Sequence, residues 1–303
     1  MPSEQSNALR EHYEQMSGRV AANPDMDLAT MRDMTAALSE RQREPTGVTY
    51  EEISVGGRSA LWARPLDAAA ERVILYTHGG GYFAFTTDTS RKLAGHLAKA
   101  ARASALIVGY RLAPEHPFPA QLDDAVGSYL WLLEHGYEPA RIAIAGESAG
   151  GNLAAATALK LRDDGLQLPG ALVCYSPWFD LLGELESFDT NAKTDAFLSR
   201  EMSSIMAGMF LGETSATNPL ANPRFADLTG LPPTYLTAGS AETLLDSVRT
   251  FADSARAHGV DVTFEVAEGM QHAFQWMAGR APEADLSIQV TGDWLRTRLV
   301  PQK

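Results

Sequence analysis

The chain has 303 residues, 45% of them hydrophobic, enough for one large α/β domain and too many for a disordered or fibrous protein. Against 38 acidic residues stand 25 basic ones, a formal net charge of −13 with no Lys/Arg run to offset it, so no nucleic-acid partner is expected. The longest apolar stretches are strand-sized, far short of the roughly 20 residues of a membrane span, and residues 1–10 lack the apolar segment of a signal peptide, so a cytoplasmic location is expected.

Residues 1–45 read as helical and are expected to form an N-terminal cap segment. Leu9, Tyr13, Met16 and Val20 sketch one helix, and Leu28, Met31, Met34, Thr35 and Leu38 a second, with a break at Asn23-Pro24. From Val48 the period changes. Residues 48–55 and 58–64 flank Gly56-Gly57, the pattern of a β-hairpin. Short, near-continuous apolar runs follow at 73–77, 105–109, 142–145 and 171–175, as strands buried on both faces should be. Helical patterns separate them at about 88–102, 120–135 and 148–163. Later come a strand at 234–238, a helix near 243–258, a strand at 260–266 and a helix from about 282 to 299. Two antiparallel strands feeding a strand–helix series predict an α/β sheet with helices on both faces, here over a catalytic domain of 46–303. Residues 180–225 break the alternation with Phe188, Phe197, Met202, Ile205, Met206, Met209 and Phe210, then Asn218-Pro219 and Asn222-Pro223. This region is expected to be a helical cap insertion folded, with residues 1–45, over the carboxyl edge of the sheet.

Gly146-Glu147-Ser148-Ala149-Gly150 follows the strand at 142–145 and opens an alanine-rich helix. A serine on a sharp strand-to-helix turn needs small neighbours, which Gly146 and Gly150 supply, and the helix N-terminus behind it favours developing negative charge. His78-Gly79-Gly80-Gly81-Tyr82 ends the strand at 73–77. No Lys or Ser/Thr follows those glycines as a phosphate cradle requires, so an oxyanion hole is the better reading. Of the seven histidines, His272 lies just past the last strand, where a base returns to the carboxyl edge of the sheet. His12, His96, His135 and His258 fall in or beside helices, His116 in a loop, and His78 abuts the glycines. An acid is expected after the preceding strand, where Glu242 and Asp246 both qualify, giving the chain order Ser, acid, His. The lone Cys174 sits in a buried-strand pattern and reads as a core residue; it permits neither a disulfide nor a cysteine-based metal cluster.

Three blocks, residues 78–82, 146–151 and Tyr110-Arg111-Leu112-Ala113-Pro114-Glu115-His116-Pro117-Phe118-Pro119-Ala120, together with the Ser176-Pro177-Trp178 turn, resemble the hormone-sensitive-lipase-like branch of the α/β-hydrolases, bacterial carboxylesterases among them. The resemblance implies an α/β-hydrolase fold: a mostly parallel eight-stranded sheet, helices on both faces and a helical cap. It implies Ser148 as nucleophile, His272 as base, and the N–H groups of Gly80, Gly81 and Ala149 as oxyanion donors. The family's acid motif begins Asp-Pro-Leu; here Glu242-Thr243-Leu244 stands in register with it, which with its place four residues past the strand selects Glu242 over Asp246.

The expected activity is a serine carboxylesterase acting on short- to medium-chain esters through an acyl-enzyme. Lactone or amide hydrolysis on the same triad, a dehydratase on the same fold and a non-hydrolytic small-ligand receptor are the competing readings. Tyr82, Trp178, Met202, Met206, Met209 and Phe210 are the candidate pocket residues. No metal and no organic cofactor are expected. The expected partners are a small-molecule ester and at most a second copy of the chain in a homodimer, with no nucleic acid and no membrane span.

Overall fold

The computed structural model of the chain describes residues 2–23 and 25–300, so Pro24 of the expected break, like Met1, lies outside the described residues. Helices α1 (Glu4–Ala22) and α2 (Leu28–Ala36) come first. The Ser3 hydroxyl caps α1 by accepting from the Ser6 N–H, a contact worth about 1 kcal/mol in typical helices. Leu9, Tyr13 and Met16 form the buried face of α1, as their spacing requires. Leu38 falls in a 3₁₀ turn that extends α2 through Arg41.

The hairpin strands β1 (Val48–Val55) and β2 (Arg58–Pro65) precede β3 (Val73–Thr77), α3 (Thr87–Ala101), β4 (Ser104–Val108), α4 (Ala120–Glu134), β5 (Ile142–Glu147), α5 (Ala149–Asp163) and β6 (Ala171–Tyr175). After β6 come a four-residue helix α6 (Ser187–Thr190), α7 (Arg200–Leu211), β7 (Thr234–Gly239), α8 (Leu245–Ala257), β8 (Val262–Ala267) and α9 (Pro282–Arg298). The eight strands form one sheet in the order β1-β2-β4-β3-β5-β6-β7-β8, in which β2 alone runs against the others. Helix α3 packs on α9 and α4 on α5, and helices cover both faces. This is an α/β-hydrolase fold. Strands β3 to β7 are buried along their whole length, which is why their sequences run apolar without alternation. No helix among the described residues is long and apolar enough to cross a membrane.

Two boundaries differ from the sequence expectation for physical reasons. The last strand begins at Val262 rather than Val260, because the chain leaves α8 through Gly259 at φ +79° and the Val260 N–H closes on the Ala255 carbonyl at 3.0 Å. That is a glycine C-terminal cap, and it uses Val260 before the strand can. Helix α8 starts at Leu245 rather than near 243, with Leu244 and Leu245 in the core and Glu242 left in the loop that precedes it. Residues 180–225 are less helical than expected: α6, α7 and a 3₁₀ turn at Pro223–Phe225 are joined by irregular chain.

Because β3, β5, β6, β7 and β8 run parallel, their carboxyl ends share one edge of the sheet. The segments that leave this edge begin at His78, Ser148, Ser176, Ser240 and Glu268 respectively. Every chemistry-bearing loop singled out in the sequence therefore emerges on the same side, where sheets of this kind bind ligands.

Candidate active site

Ser148 is held at φ +57°, ψ −123°, a conformation L-residues avoid. The turn is imposed by backbone bonds: its N–H donates to the Tyr175 carbonyl at 2.9 Å, and its carbonyl accepts from the N–H groups of Asn152 and Trp178. Thr77 Oγ1 ties the same turn to β3 by donating to the Gly150 carbonyl at 2.7 Å. A side chain at Gly150 would collide with the Thr77 and His78 carbonyls, so only glycine lets helix and strand approach this closely. Ser148 stays half-exposed in these buried surroundings.

His272 is 2% exposed, and its Nδ1 lies 2.8 Å from Glu242 Oε2; Glu242 is fully buried. A carboxylate at Nδ1 places the imidazole proton there and leaves Nε2 as the acceptor. Glu242 Oε1 accepts from the Ser176 hydroxyl at 2.8 Å and from the Gly239 N–H. Asp246, the other candidate acid, instead pairs with Arg249 at 2.6 Å on the first turn of α8. The structure thus brings Glu242, and not Asp246, to His272.

Contacts from residues 1–45 and 180–225 fasten both loops. Tyr13 on α1 donates its hydroxyl to the His272 carbonyl at 3.0 Å. The Gln271 side chain spans the Thr194 carbonyl and the Ala196 N–H, each at 2.9 Å. Asp195, buried, accepts from the Thr243 N–H at 2.7 Å, one residue past Glu242. Sequence periodicity marked Tyr13 as buried but carried no signal for these three contacts.

Gly80 has φ +92°, and a Cβ there would strike the Ala84 carbonyl, so the tight loop after β3 depends on this glycine. Tyr110 braces the loop from outside, donating to the His78 carbonyl at 2.6 Å and stacking on the His78 ring at 4.1 Å. Among the described residues the N–H groups of Gly80, Gly81 and Ala149 donate to no protein acceptor. Gly80, Gly81, Ser148 and His272 line one cavity, with Ala149 opening the helix behind Ser148. That cavity is otherwise largely apolar: Tyr13, Met16 and Leu38 come from the N-terminal segment, and Phe197, Met202 and Met206 from residues 180–225.

Of the expected pocket residues, Trp178, Met202 and Met206 line this cavity, whereas Tyr82, Met209 and Phe210 do not. Tyr82 and Phe210 stack face to face at 3.7 Å, and Phe210 meets the edge of Phe118, which packs α7 onto the body. The apolar face of α7 thus serves two surfaces. Met202 and Met206 meet the cavity, and Phe210 one turn on meets protein. Phe83, Phe85 and Trp276 also line the cavity and were not singled out in the sequence. Cys174 is buried, with Sγ 3.3 Å from the Gly151 carbonyl, and burial pushes its thiol pKa well up.

Glu147, the variable residue of the elbow, is fully buried beside the cavity. Its carboxylate accepts from Tyr76 Oη at 2.6 Å and from the Gly79 N–H at 2.7 Å. Burial outweighs these donors and pushes its pKa up to about 7. Unfolded, the group would release its proton near 4.5. Between these values the native state holds more protons, so stability falls as pH rises through that window, by up to about 3 kcal/mol. Glu147→Gln can still accept from Gly79 and donate to Tyr76, but it carries no charge. Its melting temperature relative to the parent should therefore rise between pH 5 and pH 8. A difference that stays constant across that range would contradict the assignment.

Residues 74–276 match the family model described as the alpha/beta hydrolase fold. The chain is 42% identical over 245 residues to an acetyl-hydrolase of Streptomyces hygroscopicus, covering 81% of this chain and 82% of that one. It is 34% identical over 285 residues to an esterase of Acinetobacter venetianus, covering 93% and 86%. Among solved structures, an esterase of the bacterial hormone-sensitive lipase family superposes with a TM-score of 0.94 at 38% identity, over 99% of this chain and 100% of that one. The esterase EstE5 soaked with p-nitrophenyl butyrate gives 0.90 at 34% identity, over 98% and 99%.

Proposed function

The chain belongs to the α/β-hydrolase family, among its hormone-sensitive-lipase-like esterases, and on that footing we propose that it is a serine carboxylesterase working through Ser148, His272 and Glu242. The observation that carries this reading is that Ser148 and the Glu242-bound His272 line one largely apolar cavity. His272 Nε2 takes the proton of Ser148 as Oγ attacks the ester carbonyl, and the resulting imidazolium is balanced by Glu242. The tetrahedral oxyanion is received by the N–H groups of Gly80, Gly81 and Ala149, which among the described residues have no protein acceptor to give up first. The alcohol leaves with the proton from His272, giving the acyl-enzyme. The same imidazole then deprotonates water, which attacks the acyl carbonyl and frees the acid and Ser148.

Residues 1–45 and 180–225 act in this reading as the cap, since both contribute side chains to the cavity. The preference for short to medium acyl chains rests on Met202 and Met206, unbranched and adaptable side chains that line the same largely apolar cavity as Ser148. Labelling with a fluorophosphonate tests the reading directly. Stoichiometric modification of Ser148, with turnover of p-nitrophenyl acetate and butyrate well above that of long-chain esters, is the expected result. Absence of labelling in the folded protein would leave a binding module. Preferential turnover of lactones or amides would move the assignment to those substrates.

A further inference from the structure

Behind the Glu242–His272 pair stands a residue with no part in the steps above. Ser176 follows β6, is fully buried, and sits at φ +44°, a left-handed conformation that glycine adopts at no cost. Its N–H donates to the Thr237 carbonyl at 2.8 Å, which pins the turn to β7. Its hydroxyl does two further things at once. It donates to Glu242 Oε1 at 2.8 Å and accepts from the Ala273 N–H at 3.0 Å. Ala273 follows His272 directly and is itself at φ +46°. One oxygen atom therefore bridges the loop that carries the acid and the loop that carries the base.

The bridge matters more for a glutamate than it would for an aspartate. The extra methylene gives the Glu242 carboxylate one more rotatable bond, so more orientations must be excluded before Oε2 faces the imidazole. Two donors on Oε1, from Ser176 and Gly239, supply that restraint and leave Oε2 to His272. A serine in this left-handed conformation is strained, and its hydroxyl both donates to the acid and accepts from the loop of the base, which glycine could not do.

We propose that Ser176 is a positioning residue of ester hydrolysis, whose hydroxyl holds the Glu242 carboxylate and the His272 loop in one fixed relation; this rests on the triad reading above. Two variants separate the hydroxyl from the turn. Ser176→Gly removes the hydroxyl and relieves the backbone, so it should remain folded although the Ala273 N–H and Glu242 Oε1 each lose a partner. Ser176→Ala removes the hydroxyl and keeps the strain, so it should melt lower than Ser176→Gly. Both should lose kcat by about ten- to a hundredfold, the worth of one hydrogen bond to a charged group, with KM changed by no more than about threefold. The rate of fluorophosphonate labelling at Ser148 should fall in step. Parental kcat in Ser176→Gly would overturn the proposal, since a purely structural turn is better served by glycine. A change in KM alone would overturn it equally. Ser148→Ala assayed alongside keeps the two failures apart: an active Ser148→Ala removes the triad and Ser176 with it, whereas an inactive Ser148→Ala beside a fully active Ser176→Gly removes Ser176 only.

Discussion

Replacing Ser148 with alanine should lower kcat by about five to six orders of magnitude, as in serine proteases, and leave the protein folded. The loss is large because the covalent route disappears as a whole; an oxyanion hole and a base without a nucleophile retain only a small residual acceleration. Persistence of the fold follows from how the elbow is held. Its bonds run through the backbone, from the Ser148 N–H to Tyr175 and from Asn152 and Trp178 to the Ser148 carbonyl, and alanine leaves each in place. Alanine also retains the Cβ, and with it the strain of φ +57°. Ser148→Gly should be equally inactive yet melt higher than Ser148→Ala, because glycine takes that conformation freely. Measuring kcat on p-nitrophenyl butyrate beside thermal melting tests both halves. An alanine variant with turnover within tenfold of the parent would remove Ser148 as nucleophile.

The elbow was legible in the sequence because its requirement is written in residue identity. Where helix α5 approaches β3, only glycine fits, and Gly150 stands there. Position along the chain located His272 and Glu242, since both lie a few residues beyond strands whose apolar runs were plain. Other parts were not written in this way. The periodicity of α7 marked an apolar face but could not say which of two buried surfaces each residue meets, so Met206 and Phe210 looked alike. Glu147 occupies a position that the motif leaves free, and its role depends on Tyr76 and Gly79, which fold and not sequence brings to it. Ser176 was marked only as part of the Ser176-Pro177-Trp178 turn, with no sign of a tie to the acid. A left-handed serine looks like any other serine until β6, β7 and the His272 loop are assembled around it. The Val260 boundary moved for a related reason: the glycine that ends α8 consumes the next residue in the cap.

Glu242→Gln should lower kcat on the order of 10⁴-fold, by the precedent of the aspartate in serine proteases, while Asp246→Asn stays within about twofold of the parent. The geometry around Glu242 explains why so small a change costs so much. Oε1 accepts from both Ser176 Oγ–H and the Gly239 N–H, so in the glutamine variant the amide oxygen must occupy that position. The amide NH₂ then faces His272 Nδ1, 2.8 Å away in the parent, and can only donate to it. Nδ1 becomes an acceptor and the ring proton moves to Nε2. An imidazole protonated at Nε2 cannot remove the proton of Ser148, so the base is present, correctly placed and in the wrong tautomer. The forming imidazolium also loses its counter-charge. Asp246 touches none of this: its partner is Arg249 at 2.6 Å, an ion pair at the surface of α8 worth little in water. A helix-capping role for Glu242 would have the opposite signature, a lower melting temperature with turnover barely changed. Its carboxylate is committed to Gly239, Ser176 and His272, so the expected signature is lost turnover with melting nearly retained. Kinetics and thermal melting on the two variants decide between them, and an inactive but folded Asp246→Asn beside an active Glu242→Gln would reverse the assignment of the acid.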